Sequence, residues 1–134
     1  MMHMKPKLLL VSLLATSLSG LPTIGLTEPR TVNDGVYTRD QAKTGEALYA
    51  EHCLLCHDKK YFRPVLDRWE GQPLGIMYAV MSTSMPESNP GFLSQKEYVD
   101  ILAYILSLSR YSPGETELDY AGGALDELIV APRD

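Results

Sequence analysis

The sequence Cys53-Leu54-Leu55-Cys56-His57 contains the only two cysteines in a chain of 134 residues. Two thiols separated by two residues can each form a thioether with a vinyl group of one haem, and a histidine directly after the second thiol can coordinate the iron. The stretch therefore predicts one covalently bound haem c, attached through Cys53 and Cys56, with His57 as the proximal ligand of its iron.

Three other roles for the cysteine pair fit the sequence less well. A thioredoxin-like redox motif requires strands around it, and the chain shows helices without convincing strands. A zinc site requires two further ligands, for which only His52 lies nearby. A disulfide would account for the cysteines but not for His57.

The composition is that of an ordinary soluble globular domain, with 45% hydrophobic and 22% charged residues. The formal net charge is −5, whereas a protein that binds nucleic acid is expected to present a basic face. We therefore expect no nucleic-acid partner. The length allows one domain with flanking segments.

The first 25 residues have the pattern of an export signal. Lys5 and Lys7 precede an apolar run from Leu8 to Leu18, and small residues follow it. Residues 1–25 are therefore predicted to be a signal peptide. The alternative is an uncleaved anchor helix over residues 8–26, which would hold the protein at the membrane.

Capping signals and apolar periodicity predict helices between residues 38 and 112. Thr38-Arg39-Asp40-Gln41 and Ser94-Gln95-Lys96-Glu97 each match a capping box, and a shorter helix is expected over 73–82. The helix after Ser94 has one apolar face, which consists of Tyr98, Ile101, Leu102, Ile105 and Leu108. Residues 58–71 are expected to form a loop.

Both flanks of this region are predicted to lie outside the folded domain. Residues 26–37 are rich in turn-forming residues and are expected to be a flexible lead-in. Residues 113–134 form an acidic tail, in which Gly122 and Gly123 disfavour a packed helix. The tail is either a disordered solubilising segment or a segment that docks on a dehydrogenase.

The sixth coordination position of the iron needs a ligand, and the soft thioether of methionine is suited to it. Met77 and Met81 lie four residues apart in a predicted helix, where a place in the core is the simpler role. Met85 precedes Pro86, which keeps it out of helical conformation and lets its side chain project from an extended segment. Met85 is therefore the predicted distal ligand.

Several motifs between residues 45 and 108 occur together in one family. They are Gly45-x3-Tyr49-x3-Cys53-x2-Cys56-His57, Pro64, Met85-Pro86 and the helix from Tyr98 to Leu106. In these motifs the chain resembles the class I bacterial monohaem cytochromes c, which implies a small all-α fold of three to four helices wrapped around one haem. The run from Trp69 to Ser94 is most similar to cytochrome c domains and subunits that serve periplasmic quinoprotein dehydrogenases.

The resemblance also implies contacts within the domain. Gly45 and Tyr49 should meet the face of the last helix that carries Ile101, Tyr104 and Ile105. Pro64 should belong to the loop that steers His57, with the carbonyl of Arg63 or Pro64 accepting from the imidazole. Trp69 should lie near a haem propionate. A place in the hydrophobic core is an equally good role for an aromatic residue at this position.

By the same resemblance, the chain is expected to be a periplasmic electron carrier and not an enzyme. Its donor would be a periplasmic dehydrogenase or a quinol-oxidising complex, and its acceptor an oxidase or another cytochrome. A place as the cytochrome subunit of a dehydrogenase complex is compatible with this role. The alternative is a haem enzyme, or a sensor of peroxide or a gas, in which Met85 dissociates from the iron.

Overall fold

Residues 28–134 fold into four α-helices. The computed structural model describes Met1 and residues 28–134. The helices are α1 (Arg39–His52), α2 (Phe62–Asp67), α3 (Leu74–Ser84) and α4 (Gln95–Leu108), and a 3-10 turn follows at Ala121–Gly123. Between residues 28 and 134, β pairing is limited to isolated bridges of Ile129 with Thr31 and Pro73. The predicted all-α fold class is confirmed.

The predicted export signal, residues 1–25, lies outside the described residues except for Met1. Among the helices of the described part, none is long and apolar enough to cross a membrane. The choice between a cleaved signal and an anchor over residues 8–26 stays a prediction.

The two long helices begin at the residues that the capping signals predict. The Ser94 hydroxyl accepts from the Glu97 amide, and the Glu97 carboxylate accepts from the Ser94 amide, which completes the capping box of α4. At α1 only half of the box forms. Thr38 accepts from the amide of Gln41 at 3.1 Å, but the Gln41 side chain turns into the core instead of back to Thr38.

The expectation of a loop over residues 58–71 is wrong, because α2 occupies its middle. Pro64 lies in the first turn of this helix, where backbone amides have no intrahelical partner and a proline removes no hydrogen bond. Leu66 anchors α2 in the core and is fully buried. A short helix with a single buried residue leaves too little periodicity for the sequence to show it.

Helix α4 is the centre of the fold. Every residue from Tyr98 to Leu106 is buried, whereas the sequence predicted a single apolar face. Asp100 is among them, and it accepts from Lys96 Nζ through both carboxylate oxygens at 2.9 Å and from Gln41 Nε2 at 3.1 Å. These bonds compensate the buried charge.

The prediction that residues 26–37 form a flexible lead-in is wrong, because three side chains in the second half of this range pack in the core. Val32, Val36 and Tyr37 are at most 4% exposed, and the Tyr37 hydroxyl donates to the Tyr111 carbonyl at 2.6 Å. Turn-forming residues between these side chains hide the apolar positions, since no regular period connects them.

The C-terminal segment, residues 113–134, is also packed, so the predicted disordered tail is wrong. Four of its apolar side chains, Leu118, Leu125, Leu128 and Val130, are at most 4% exposed. The backbone of Leu118 is bonded in both directions to the buried Gln41 amide, at 2.8 Å each. The acidic residues lie between and on either side of these anchors, which is why composition alone indicates a solvated tail.

The C-terminal segment also caps α3. Pro73 stands at the N-cap of α3 and offers no side-chain hydrogen bond. Instead the amides of Leu74 and Gly75 donate to the carbonyls of Leu128 and Leu125, at 2.8 and 2.9 Å. These bonds satisfy two amides that a helix N-terminus otherwise leaves without a partner.

Candidate cofactor site

The cysteine motif forms a tight turn at the end of α1. Cys53 is the C-cap of the helix, and its carbonyl accepts from the amides of Cys56 and His57 at 3.1 and 2.9 Å. The Tyr49 hydroxyl, one turn earlier in α1, donates to the His57 carbonyl at 2.7 Å. The turn therefore has a fixed position relative to the helix that precedes it.

The crossing of α1 and α4 sets where this turn lies. A Cβ atom added to Gly45 would lie 1.8 Å from the Asp100 carbonyl oxygen, so only glycine permits the two backbones to approach this closely. One turn further on, the Tyr49 ring packs edge-on against Tyr104 with 5.3 Å between the ring centroids. The predicted meeting of Gly45 and Tyr49 with α4 is confirmed.

A cleft of about 730 Å³ lies beside the turn. Its walls come from the end of α1, the cysteine motif, α3 with the segment after it, and α4. The lining side chains include Cys53, Cys56, His57, Phe62, Met81, Met85, Phe92, Ile101 and Ile105. The cleft thus brings together all three residues of the predicted proximal side and the predicted distal ligand.

The two thiols are free and differ in their surroundings. Cys53 is half-buried and Cys56 is exposed, and no disulfide joins them. Burial raises the pKa of the Cys53 thiol. Both sulfurs line the cleft and are chemically available for thioether bonds to a group bound in it.

His57 lines the cleft, and one of its two ring nitrogens lacks a partner in the described part of the chain. Its Nδ1 atom is buried and has no hydrogen-bond partner among the described residues. A buried polar atom without a partner is rare, and a missing ligand is one explanation for it. A large cleft with apolar walls, two free thiols and this imidazole fits a covalently attached haem.

Met81 and Met85 both line the cleft, and Met77 does not. Met77 is 5% exposed and belongs to the core, as predicted. Met81 lies within α3, whereas Met85 is its C-cap and has the extended conformation that Pro86 favours, with φ −124° and ψ 150°. The cleft therefore offers two thioethers, one on a helix and one on an extended segment.

Pro64 and Trp69 are not among the side chains that line the cleft. Pro64 is exposed on α2, and Trp69 is half-buried against the hydrophobic core just after this helix. The carbonyls of Arg63 and Pro64 do not accept from His57 Nδ1, which has no partner in the described part. The roles of Pro64 and Trp69 toward the cofactor stay predictions.

Three contributors to the site were not predicted from the sequence. The Tyr49 hydroxyl holds the cysteine turn, and the Tyr98 hydroxyl donates to the Met85 carbonyl at 2.7 Å. His52 lines the cleft and packs edge-on against Phe92, with 5.2 Å between the ring centroids. No residue spacing in the sequence indicates a hydrogen bond from a tyrosine hydroxyl to a distant backbone carbonyl. Both tyrosines nevertheless belong to the motifs quoted above.

Comparison with known proteins agrees with this site. A family model described as "Cytochrome C oxidase, cbb3-type, subunit III" matches residues 40–105, which include the cysteine turn, the cleft-lining methionines and most of α4. Residues 40–105 form a class I cytochrome c domain. The cytochrome carries a covalently bound haem c with iron and is a haem-based electron-transfer protein.

No curated protein and no solved structure matches the cytochrome significantly. The fold gives little support to the thioredoxin-like and zinc-binding roles considered for the cysteine pair. The described part of the chain contains no βαβ unit of the kind that carries a thioredoxin-like motif. Over residues 28–134, no three His, Cys, Asp or Glu side chains are grouped so as to hold a metal ion such as zinc.

Proposed function

We propose that the cytochrome is a single-electron carrier whose haem is attached through Cys53 and Cys56 and ligated by His57 and Met85. The observation that carries the proposal is that one cleft is lined by all four residues, although 27 residues lie between His57, the end of the cysteine motif, and Met85. The bound haem c supplies a one-electron couple between ferric and ferrous iron.

The protein residues have distinct tasks in this function. Cys53 and Cys56 fix the position of the cofactor, and the His57 imidazole provides the proximal ligand. Phe62, Ile101 and Ile105 are apolar walls that keep water away from it. With His57 and the thioether of Met85 as its ligands, the iron would have no open site, so electrons would pass without binding of substrate to the metal.

Met85 is preferred over Met81 because of the backbone that carries it. Met81 is held within α3 by helical geometry, which restricts the directions that its side chain can take. Met85 lies at the end of the helix in an extended segment, and its carbonyl is bonded to α4. A side chain in this setting can be aimed independently of the helix.

Paired leucine variants test the ligand assignment. Methionine ligation gives the oxidised haem a weak charge-transfer band in the far red, which we expect in the wild type and in Met81→Leu but not in Met85→Leu. Leucine has a similar volume, so the packing changes little. Loss of the band in Met81→Leu alone would transfer the role to Met81. A high-spin wild-type spectrum or tight carbon monoxide binding at neutral pH would favour the enzyme or sensor alternative.

We further propose that the cytochrome works in the periplasm, between a dehydrogenase of the quinoprotein type or a quinol-oxidising complex and an oxidase or another cytochrome. The support is the export-type leader, the resemblance of residues 69–94 and the net charge of −5. An acidic carrier associates fastest with basic docking surfaces, and salt screens that attraction. Reduction by such a dehydrogenase should therefore slow as ionic strength rises, and an absence of reduction at any ionic strength would exclude this donor.

Cell fractionation with sequencing of the mature N-terminus tests the location. We expect a periplasmic protein that begins close to residue 26. Recovery in the membrane fraction with residues 8–26 retained would indicate the anchor instead, and recovery in the cytoplasm would contradict export.

A further inference from the structure

A single buried hydroxyl holds the segment that carries the proposed distal ligand. Tyr98 lies in the first turn of α4 and is 3% exposed. Its hydroxyl donates to the Met85 carbonyl at 2.7 Å and accepts from the Gly91 amide at 3.0 Å. Both ends of the segment Met85–Gly91 are therefore bonded to the same oxygen atom.

Few other bonds restrain this segment. Within the described residues, its backbone makes the bond from the Met85 amide to the Met81 carbonyl and one internal bond from Asn89 to Pro86, both at 2.9 Å. Residues 87–91 are exposed and make no side-chain hydrogen bonds to other described residues. The Tyr98 hydroxyl is thus the hydrogen-bonded link from the segment to α4.

Tyr98 itself is firmly placed. Its amide donates to the Ser94 carbonyl at 3.1 Å within the capped first turn, and its ring packs edge-on against Tyr78 at 6.4 Å between centroids. The buried part of α4 begins at Tyr98 and crosses α1 at Gly45. Because Cys53 is the C-cap of α1, a continuous series of contacts connects the proximal side of the cleft with the Met85 carbonyl.

We propose that Tyr98 is a positioning residue, whose hydroxyl holds Met85 at the cleft and thereby strengthens the bond between the Met85 thioether and the haem iron. This inference rests on the proposed function, in which Met85 is the distal ligand. Without the hydroxyl, the carbonyl and the amide at the two ends of the segment lose their shared partner, and the segment can move away from the iron at lower cost.

The test compares two tyrosine-to-phenylalanine variants of the holoprotein. Tyr98→Phe removes the hydroxyl proposed to hold Met85. Tyr111→Phe is the matched control, because the Tyr111 hydroxyl also donates to one backbone carbonyl, that of Ala131 at 2.7 Å, and Tyr111 does not line the cleft. Imidazole is titrated into the oxidised proteins, and displacement of the methionine is followed by loss of the far-red charge-transfer band.

We expect Tyr98→Phe to bind imidazole about fivefold to tenfold more tightly than the wild type, since displacement of Met85 no longer breaks the part-buried hydrogen bond to Tyr98. Tyr111→Phe should stay within about twofold of the wild type, because its bond is the same in both ligation states. Equal imidazole affinities in the two variants would overturn the positioning role. If the wild type lacks the band, or if Met85→Leu retains it, the ligand assignment fails first and the positioning role fails with it.

Hydrogen exchange in the wild-type holoprotein provides a second measurement if Tyr98→Phe does not assemble. The Gly91 amide should be protected by its bond to Tyr98, and its exchange should speed up several-fold when imidazole displaces Met85. The Gly75 amide, bonded to the Leu125 carbonyl at 2.9 Å, is the internal control and should not respond. An unchanged exchange rate at Gly91 on displacement would refute the proposal without any variant.

Discussion

Replacing Gly45 by alanine tests how closely α1 and α4 must approach. The added Cβ would lie 1.8 Å from the Asp100 carbonyl oxygen and 3.0 Å from Tyr104 Cβ. A carbon and a carbonyl oxygen usually stay about 3.3 Å apart or more, so the two backbones must separate by roughly 1.5 Å. Because the obstacle belongs to the backbone of α4, no rotation of a side chain can relieve it.

Two opposing effects determine the free energy of unfolding of Gly45→Ala. Alanine in a helix interior is about 1 kcal/mol more favourable than glycine. Overpacking of a tight interface costs about 1–3 kcal/mol, and the contact with a backbone atom places this site at the upper end. We therefore expect a net loss of about 2 kcal/mol in the holoprotein, measured by urea denaturation.

The matched control is Gly75→Ala in α3. A Cβ on Gly75 would lie 1.9 Å from Asp126 Oδ1, which is the end of a side chain and can turn away, and 3.2 Å from the Asp126 backbone nitrogen, a contact that a small shift relieves. This variant should stay within about 1 kcal/mol of the wild type, because the helix propensity gained offsets the small rearrangement. If Gly45→Ala proved as stable as Gly75→Ala, the close crossing would not be what positions α1 against α4.

Three further results are expected. Gln41→Ala should lower the free energy of unfolding by about 2 kcal/mol in urea denaturation, because it leaves the buried backbone of Leu118 without its partner. Leu128→Ala should lower it by about 2–5 kcal/mol through a core cavity, whereas a disordered tail would give no change. In protein made without haem, iodoacetamide should alkylate Cys56 faster than Cys53, since burial raises the pKa of the Cys53 thiol. Mass spectrometry of the peptides measures both alkylation rates. Equal rates would contradict the different burial of the two thiols.

The sequence predicts those parts of the fold that depend on local signals. The starts of α1 and α4 follow from Thr38 and Ser94, whose hydroxyls cap helices regardless of the rest of the fold. Helix α2 and the buried positions of both flanks depend on contacts between residues far apart in the chain. The bond from Tyr37 to Tyr111 spans 74 positions, and neither residue lies in a periodic pattern that would indicate it.

The candidate site also contains residues that local sequence signals predict and residues whose role depends on distant contacts. The cysteine motif and Met85 were predicted because covalent attachment and the effect of proline are properties of short stretches, and the structure places them in one cleft. Met81 lines the cleft as well. The sequence does not predict this, because the direction in which a helical side chain points depends on how α3 packs. The hydroxyls of Tyr49 and Tyr98 act on backbone carbonyls, which every residue has, so no residue type in the sequence marks their partners.

The C-terminal segment has a role that its acidic composition conceals. Helix α3 has no side-chain cap, and its first two amides are bonded to the carbonyls of Leu128 and Leu125. Both of these residues lie beyond residues 40–105, the part that matches the family model. Since α3 leads directly into Met85, the segment that supports the start of this helix also limits how far its end can shift. A domain cut at residue 112 would retain every residue proposed to bind the haem, yet it would leave the first two amides of α3, the helix that leads to the proposed distal ligand, without their partners.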